Sequence, residues 1–111
     1  MDRDIRFLID YIDENHSEPA QTRNALEFEW EAYSKWAAHE ILDRLIFESS
    51  KPPERMTGKE RASTIDIIEE FLIDVNYYAE TSDDSRNHFM FLVARFEARR
   101  ILNLFRERKY G

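Results

Sequence analysis

The sequence predicts an all-α fold, an antiparallel four-helix bundle built as one domain over residues 1–111. Three observations predict it. Only two glycines and three prolines occur in 111 residues, too few for the tight turns of a sandwich or barrel. Apolar residues recur at three- and four-residue spacing in four stretches. Three polar or proline-bearing connections separate those stretches. A chain of this length buries roughly two thirds of its extended surface, enough for a core without staples. No cysteine is present, which removes disulfides, thiolate zinc sites and thiol catalysis.

The first helix is expected over residues 3–15, where Ile5, Leu8, Ile9 and Ile12 form an apolar stripe flanked by Phe7 and Tyr11. Asn15-His16-Ser17-Glu18-Pro19 ends it as a loop. The second is expected over 20–48 and about 40 Å long. Leu26, Trp30, Tyr33, Ala37, Ile41 and Leu45 make one apolar line. Phe28, Ala32, Trp36, His39, Leu42 and Ile46 make a second beside it, predicting a wide buried face. Pro52-Pro53 stops that helix, and Thr57-Gly58-Lys59-Glu60 has the form of a capping box for the next. The third helix is then expected over 58–80, with Ile65, Ile68, Leu72 and Val75 on its face and Ile67 and Phe71 alongside. Thr81-Ser82-Asp83-Asp84 leads to a fourth over 84–109, bearing Phe89, Val93, Phe96 and Leu104 in one line and Met90, Ala94, Ala98, Ile101 and Phe105 in another.

Two short echoes suggest paired hairpins related by a pseudo-twofold. Phe7-Leu8-Ile9-Asp10 recurs as Phe71-Leu72-Ile73-Asp74, and Ile41-Leu42-Asp43 as Ile101-Leu102-Asn103. The first match is offset by 64 residues and the second by 60.

The formal net charge is −7, and it is unevenly spread. Residues 1–48 hold 12 acids and 5 bases, whereas residues 84–111 hold seven bases and three acids. The acidic half and the basic last helix can attract each other within one chain or between two. The overall acidity disfavours nucleic acid, whose phosphates want a strong basic field. It also suits a regulator that masks a basic partner, since opposite charge speeds encounter. No apolar run approaches the roughly 20 residues of a membrane span. Met1-Asp2-Arg3-Asp4 does not open a signal peptide, so a cytoplasmic location is expected.

Catalytic constellations are thin. Glycine-rich phosphate loops are absent, and no serine has a neighbouring histidine with an orienting acid. His39 and Asp43 stand four apart on one helical face, but a metal site asks for about three protein ligands and no third is marked. The third helix carries Asp66, Glu69, Glu70 and Asp74, and the second carries Glu27, Glu31, Glu40 and Asp43. This two-helix acidic arrangement resembles that of the all-helical nucleotide pyrophosphohydrolases, which hold magnesium with carboxylates from two helices. Their Glu-x-x-Glu pair is missing here, and Asp66-x-x-Glu69 with Glu70 and Asp74 stands nearest to it. The resemblance implies, as the alternative function, a magnesium-dependent hydrolase.

Aromatics are the stronger signal. There are eight Phe, five Tyr and two Trp, and Phe28, Trp30, Tyr33 and Trp36 fall within nine residues. Trp30 and Trp36 are about 600° apart around a helix, so one core does not take both. Phe89-Met90-Phe91-Leu92-Val93 covers more than one face of the fourth helix, and Tyr77-Tyr78 closes the third. Trp and Tyr anchor binding hot spots. The expected function is therefore that of a small non-enzymatic accessory or regulatory protein. It acts through protein–protein contact, as a homodimer or with another protein, through Trp30, Tyr33, Trp36, Phe89 and Phe91. No cofactor or metal is expected.

Overall fold

The computed structural model describes residues 2–16, 24–51 and 62–110. It forms an all-α bundle of α1 (Asp2–His16), α2 (Ala25–Ser49), α3 (Thr64–Thr81) and α4 (Ser85–Tyr110), with no strand among the described residues.

Side-chain caps set where three of the helices begin. The Asn24 side chain accepts the Glu27 amide at 2.9 Å, so α2 starts at Ala25 and not at residue 20. Ser63 is extended and its hydroxyl accepts the Asp66 amide at 3.1 Å. The expected start of the third helix at residue 58 is thereby corrected to Thr64, because Ala62 and Ser63 are not helical. The Thr57–Glu60 capping box and the Pro52-Pro53 stop lie outside the described residues. Asp84 Oδ1 accepts the amides of Arg86 and Asn87 at 2.8 and 3.3 Å and opens α4.

Contacts at the helix ends give the directions. Glu48, near the end of α2, accepts the Ala62 amide at 2.8 Å, which ties that end to the start of α3. Tyr78 of α3 stacks on Phe91 of α4, and Glu69 pairs with Arg106, so α3 and α4 are antiparallel. Phe7 packs edge-on against Phe105, and Tyr11 meets Glu97, so α1 also runs against α4. Glu29 meets Arg86, and Trp30 meets Phe89, so α2 and α4 are parallel. This is an up-down-up-down order.

The parallel pair α2 and α4 pack closely, second only to α3 with α4. In a square bundle they would be diagonal and apart. Small side chains permit the approach: Ser34, Ala37 and Ala38 on α2, and Ala94 and Ala98 on α4, are all buried. Around them Leu8, Ile41, Leu45, Ile68, Val75, Val93, Ile101 and Phe105 form the fully enclosed core. This packing corrects the wide apolar face expected of α2. Of its second line only Leu42 is half-buried, while Phe28, Ala32, Trp36, His39 and Ile46 face solvent.

Buried positions recur between the halves at an offset of 60. Ser34, Ala38, Ile41 and Leu45 correspond to Ala94, Ala98, Ile101 and Phe105, and Leu8 and Tyr11 to Ile68 and Phe71. The 64-residue match is out of register, because buried Leu8 falls on half-buried Leu72. The two offsets differ by four residues, a rotation of only about 40°, so either keeps apolar residues opposite each other.

Candidate interaction surface

Among the described residues, one end of the bundle is left open. No residue from Ala25 to Tyr33 on α2 is buried, and none from Ser85 to Leu92 on α4. The core side of α1 ends at His16, which lies against Glu97, so beyond that level α2 and α4 run on without it. There Trp30 sits between Phe89 and Phe96, with ring centroids at 6.2 and 5.7 Å. Tyr33 adds an edge contact to Phe89 at 5.9 Å. Leu26, one turn before Trp30, shares its face. The cluster is not enclosed: Leu26 is 63% exposed, Phe96 53% and Trp30 40%. An aromatic group ordered by its own ring contacts yet open to water has the make-up of a binding hot spot.

Of the five residues expected at an interface, three come together here: Trp30, Tyr33 and Phe89. Trp36 lies elsewhere, 36% exposed and tilted against Phe71 of α3. Phe91 is half-buried on another flank of α4, stacked on Tyr78 at 5.3 Å. Its cover is thus within the chain. Phe96 shares an apolar line with Phe89, two turns away; it is 53% exposed and belongs to this surface, although it is not among the five residues expected at an interface.

Charge is segregated by helix in sequence: Glu27, Glu29 and Glu31 alternate with apolar residues on α2, and Arg95, Arg99 and Arg100 surround Phe96 on α4. In space Arg100 covers Tyr11, and Arg99 lines the groove between α3 and α4. Within the chain the two signs already meet, at Arg86–Glu29 (3.7 Å), Arg106–Glu69 (2.8 Å) and Arg108–Asp4 (3.6 Å). Exposed pairs of this kind contribute below about 1 kcal/mol each and orient the helices more than they hold them.

The carboxylates of α3 divide between two grooves. Glu69 is engaged by Arg106 of α4, whereas Glu70 and Asp74 share a groove with Asp43 and Glu48 of α2, where Arg44 holds Asp74 at 3.2 Å and Lys51 holds Glu48 at 2.7 Å. No group of three His, Asp or Glu side chains able to hold a metal occurs among the described residues. His39 and Asp43 are both exposed on α2.

A buried polar cluster lies beside the open end. Tyr11, His16 and Glu97 are each under a tenth exposed. The Tyr11 hydroxyl donates to Glu97 Oε1, and His16 Nε2 stands 3.3 Å from the same oxygen. The Arg100 guanidinium covers the Tyr11 ring at 5.5 Å and donates to Asn15 Oδ1 at 3.2 Å. Burial, and then the hydrogen bond to the Glu97 carboxylate, push the Tyr11 phenol well above its ordinary pKa. A phenol held protonated in this way is a structural donor and a poor base. The cluster clamps the last turn of α1 onto the middle of α4 and so fixes where the open end begins.

No helix among the described residues is long and apolar enough to cross a membrane. No family model, curated protein or solved structure matches the chain.

Proposed function

We propose that this is a small non-enzymatic protein that works by covering the Leu26–Trp30–Phe89–Phe96 surface with another polypeptide surface, as an accessory or regulatory component. The observation that supports this reading most is the open end itself. Trp30 and Phe89 stand before the first buried residues of their helices, Phe96 lies on the outer side of α4 between buried Ala94 and Glu97, and nothing among the described residues encloses the three. Covering a large apolar side chain gains roughly 1.5–3 kcal/mol relative to leaving it in water. Several such side chains on one surface give a partner most of what a hot spot needs.

A native mass spectrum of the untagged protein, gently purified from its own cells, tests the reading. A complex is expected, either with a second copy or with another polypeptide. It should be lost in the Phe96→Ser variant while the helical circular-dichroism signal is kept. A bare monomer at high concentration, with and without the substitution, contradicts it. The magnesium-hydrolase alternative makes a separate forecast: millimolar magnesium with nucleotide should raise the melting temperature, since a ligand bound only by the native state stabilises it. Arg44 and Lys51 already pair with carboxylates in the groove that Glu70 and Asp74 line, so we expect no such rise.

A further inference from the structure

We propose that the groove between α3 and α4 binds a small organic anion, a monocarboxylate with a short apolar body. The inference goes beyond the interaction reading above, and its test does not depend on what covers the open end.

The register of the two helices builds the site. They are antiparallel, and Glu69 meets Arg106 across them. Asn76 stands two turns after Glu69 on α3, and Arg99 two turns before Arg106 on α4. The antiparallel register therefore sets Asn76 level with Arg99, about 10 Å along the groove from the Glu69–Arg106 pair. Leu72, Ile73 and Leu102 give the groove an apolar lining, and Ile73 is 68% exposed. The groove measures about 460 Å³, inside the roughly 300–1,000 Å³ of small-molecule sites.

Its polar groups are donors without acceptors. The Asn76 amide oxygen is buried and has no hydrogen-bond partner. That orientation leaves the two N–H groups of the amide to the groove it lines. Arg99 and Asn103 line the same groove, and neither side chain has a hydrogen bond or ion pair among the described residues. Glu69, the acid of the lining, is already held by Arg106 at 2.8 Å. Among the described residues, then, the lining sets two arginines against one glutamate, a local positive charge on a chain that carries −7. A guanidinium with amide donors beside it matches a carboxylate, which accepts two parallel N–H bonds from arginine. One unpaired cation suits one negative charge, whereas a phosphate dianion asks for more. The apolar lining takes the rest of the ligand. The Glu69–Arg106 pair limits its length, because an alkyl chain laid over that pair would strip water from both charges. An acid the size of octanoate fits between the two ends.

An NMR titration of the full chain with sodium octanoate tests this. Saturable shifts of the Asn76 and Asn103 side-chain NH2 signals are expected at roughly millimolar concentration, as so few ligand atoms allow. Octanol has the body without the charge, and acetate the charge without the body. Each should bind about tenfold more weakly or worse. Arg99 is exposed, so Arg99→Gln keeps the fold, and it should weaken octanoate about tenfold or more through loss of the charged hydrogen bonds. Octanoate that shifts neither amide overturns the inference. So does octanoate that binds Arg99→Gln as well as the wild type, octanol that binds as well as octanoate, or a titration that moves only the Trp30 indole signal at the open end.

Discussion

Tyr11, His16 and Glu97 show what a few buried polar atoms do in this fold. Glu97 occupies a position that is buried on α4, where its counterpart sixty residues earlier is Ala37. A carboxylate there is tolerable only with donors beside it, and Tyr11 and His16 supply them. Removing one donor leaves the charge under-satisfied, so Tyr11→Phe should cost about 1.5–3 kcal/mol in urea unfolding at neutral pH. The phenol also makes stability depend on alkali. Its pKa in the folded protein lies above the ordinary 10.0 of the unfolded chain. Its contribution is therefore fully present below pH 10 and is lost as pH rises toward the folded value, because only the unfolded chain releases that proton. Stability measured from pH 10 upward should fall, and less steeply in Tyr11→Phe. Little of this cluster was legible in the sequence. Tyr11 looked like a stripe flank, His16 like a loop residue and Glu97 like one acid among many. The partners are separated by more than eighty residues, and hydrogen bonds across that distance leave no local spacing. The one clue was a glutamate standing between Val93 and Ile101 at helical spacing, in an otherwise apolar line.

The helices themselves were largely legible, because period and polarity are local. All four exist where the apolar stripes predict them, and the errors lie at their starts. Ser63-x-x-Asp66 is a capping signal of the same type as Thr57-x-x-Glu60, and spacing alone does not choose between them. The caps differ in what they hold. Ser63 opens a helix whose first turns bury Thr64, Ile67 and Ile68, so Ser63→Ala should lower global stability by about 1 kcal/mol. Asn24 opens turns that bury nothing, so Asn24→Ala should leave the denaturation midpoint almost unchanged. Hydrogen exchange in the first two turns of α2 should quicken instead. The contact of α2 with α4 escaped the sequence for another reason. Alanines look neutral in a hydrophobic pattern, yet Ala37, Ala38, Ala94 and Ala98 decide how near two helices come. Ala98→Leu should destabilise by about 1–3 kcal/mol through overpacking, read as a drop in melting temperature without loss of helix content.

At the scale of the whole molecule, the close α2–α4 contact and the exposed aromatics lie side by side. The N-terminal turns of α2 and α4 lie beyond the described end of α1, and Leu26, Trp30 and Phe96 stand in water. The sequence carried the surplus of aromatics but not their sorting. Trp36 and Phe91 found neighbours within the chain, whereas Trp30, Tyr33 and Phe89 joined Phe96. That sorting depends on which helices touch, and no single stripe contains it. The most direct measurement is acrylamide quenching of Trp30 fluorescence in a Trp36→Phe variant, from dilute to concentrated solution. Trp36 touches a different helix, so its loss leaves the open end intact. Quenching that falls steeply as concentration rises, and that stays high when Phe96→Ser is added, is the predicted result. Quenching that is the same at every concentration, alongside a native mass spectrum with no bound polypeptide, would contradict the claim that this surface exists to be covered.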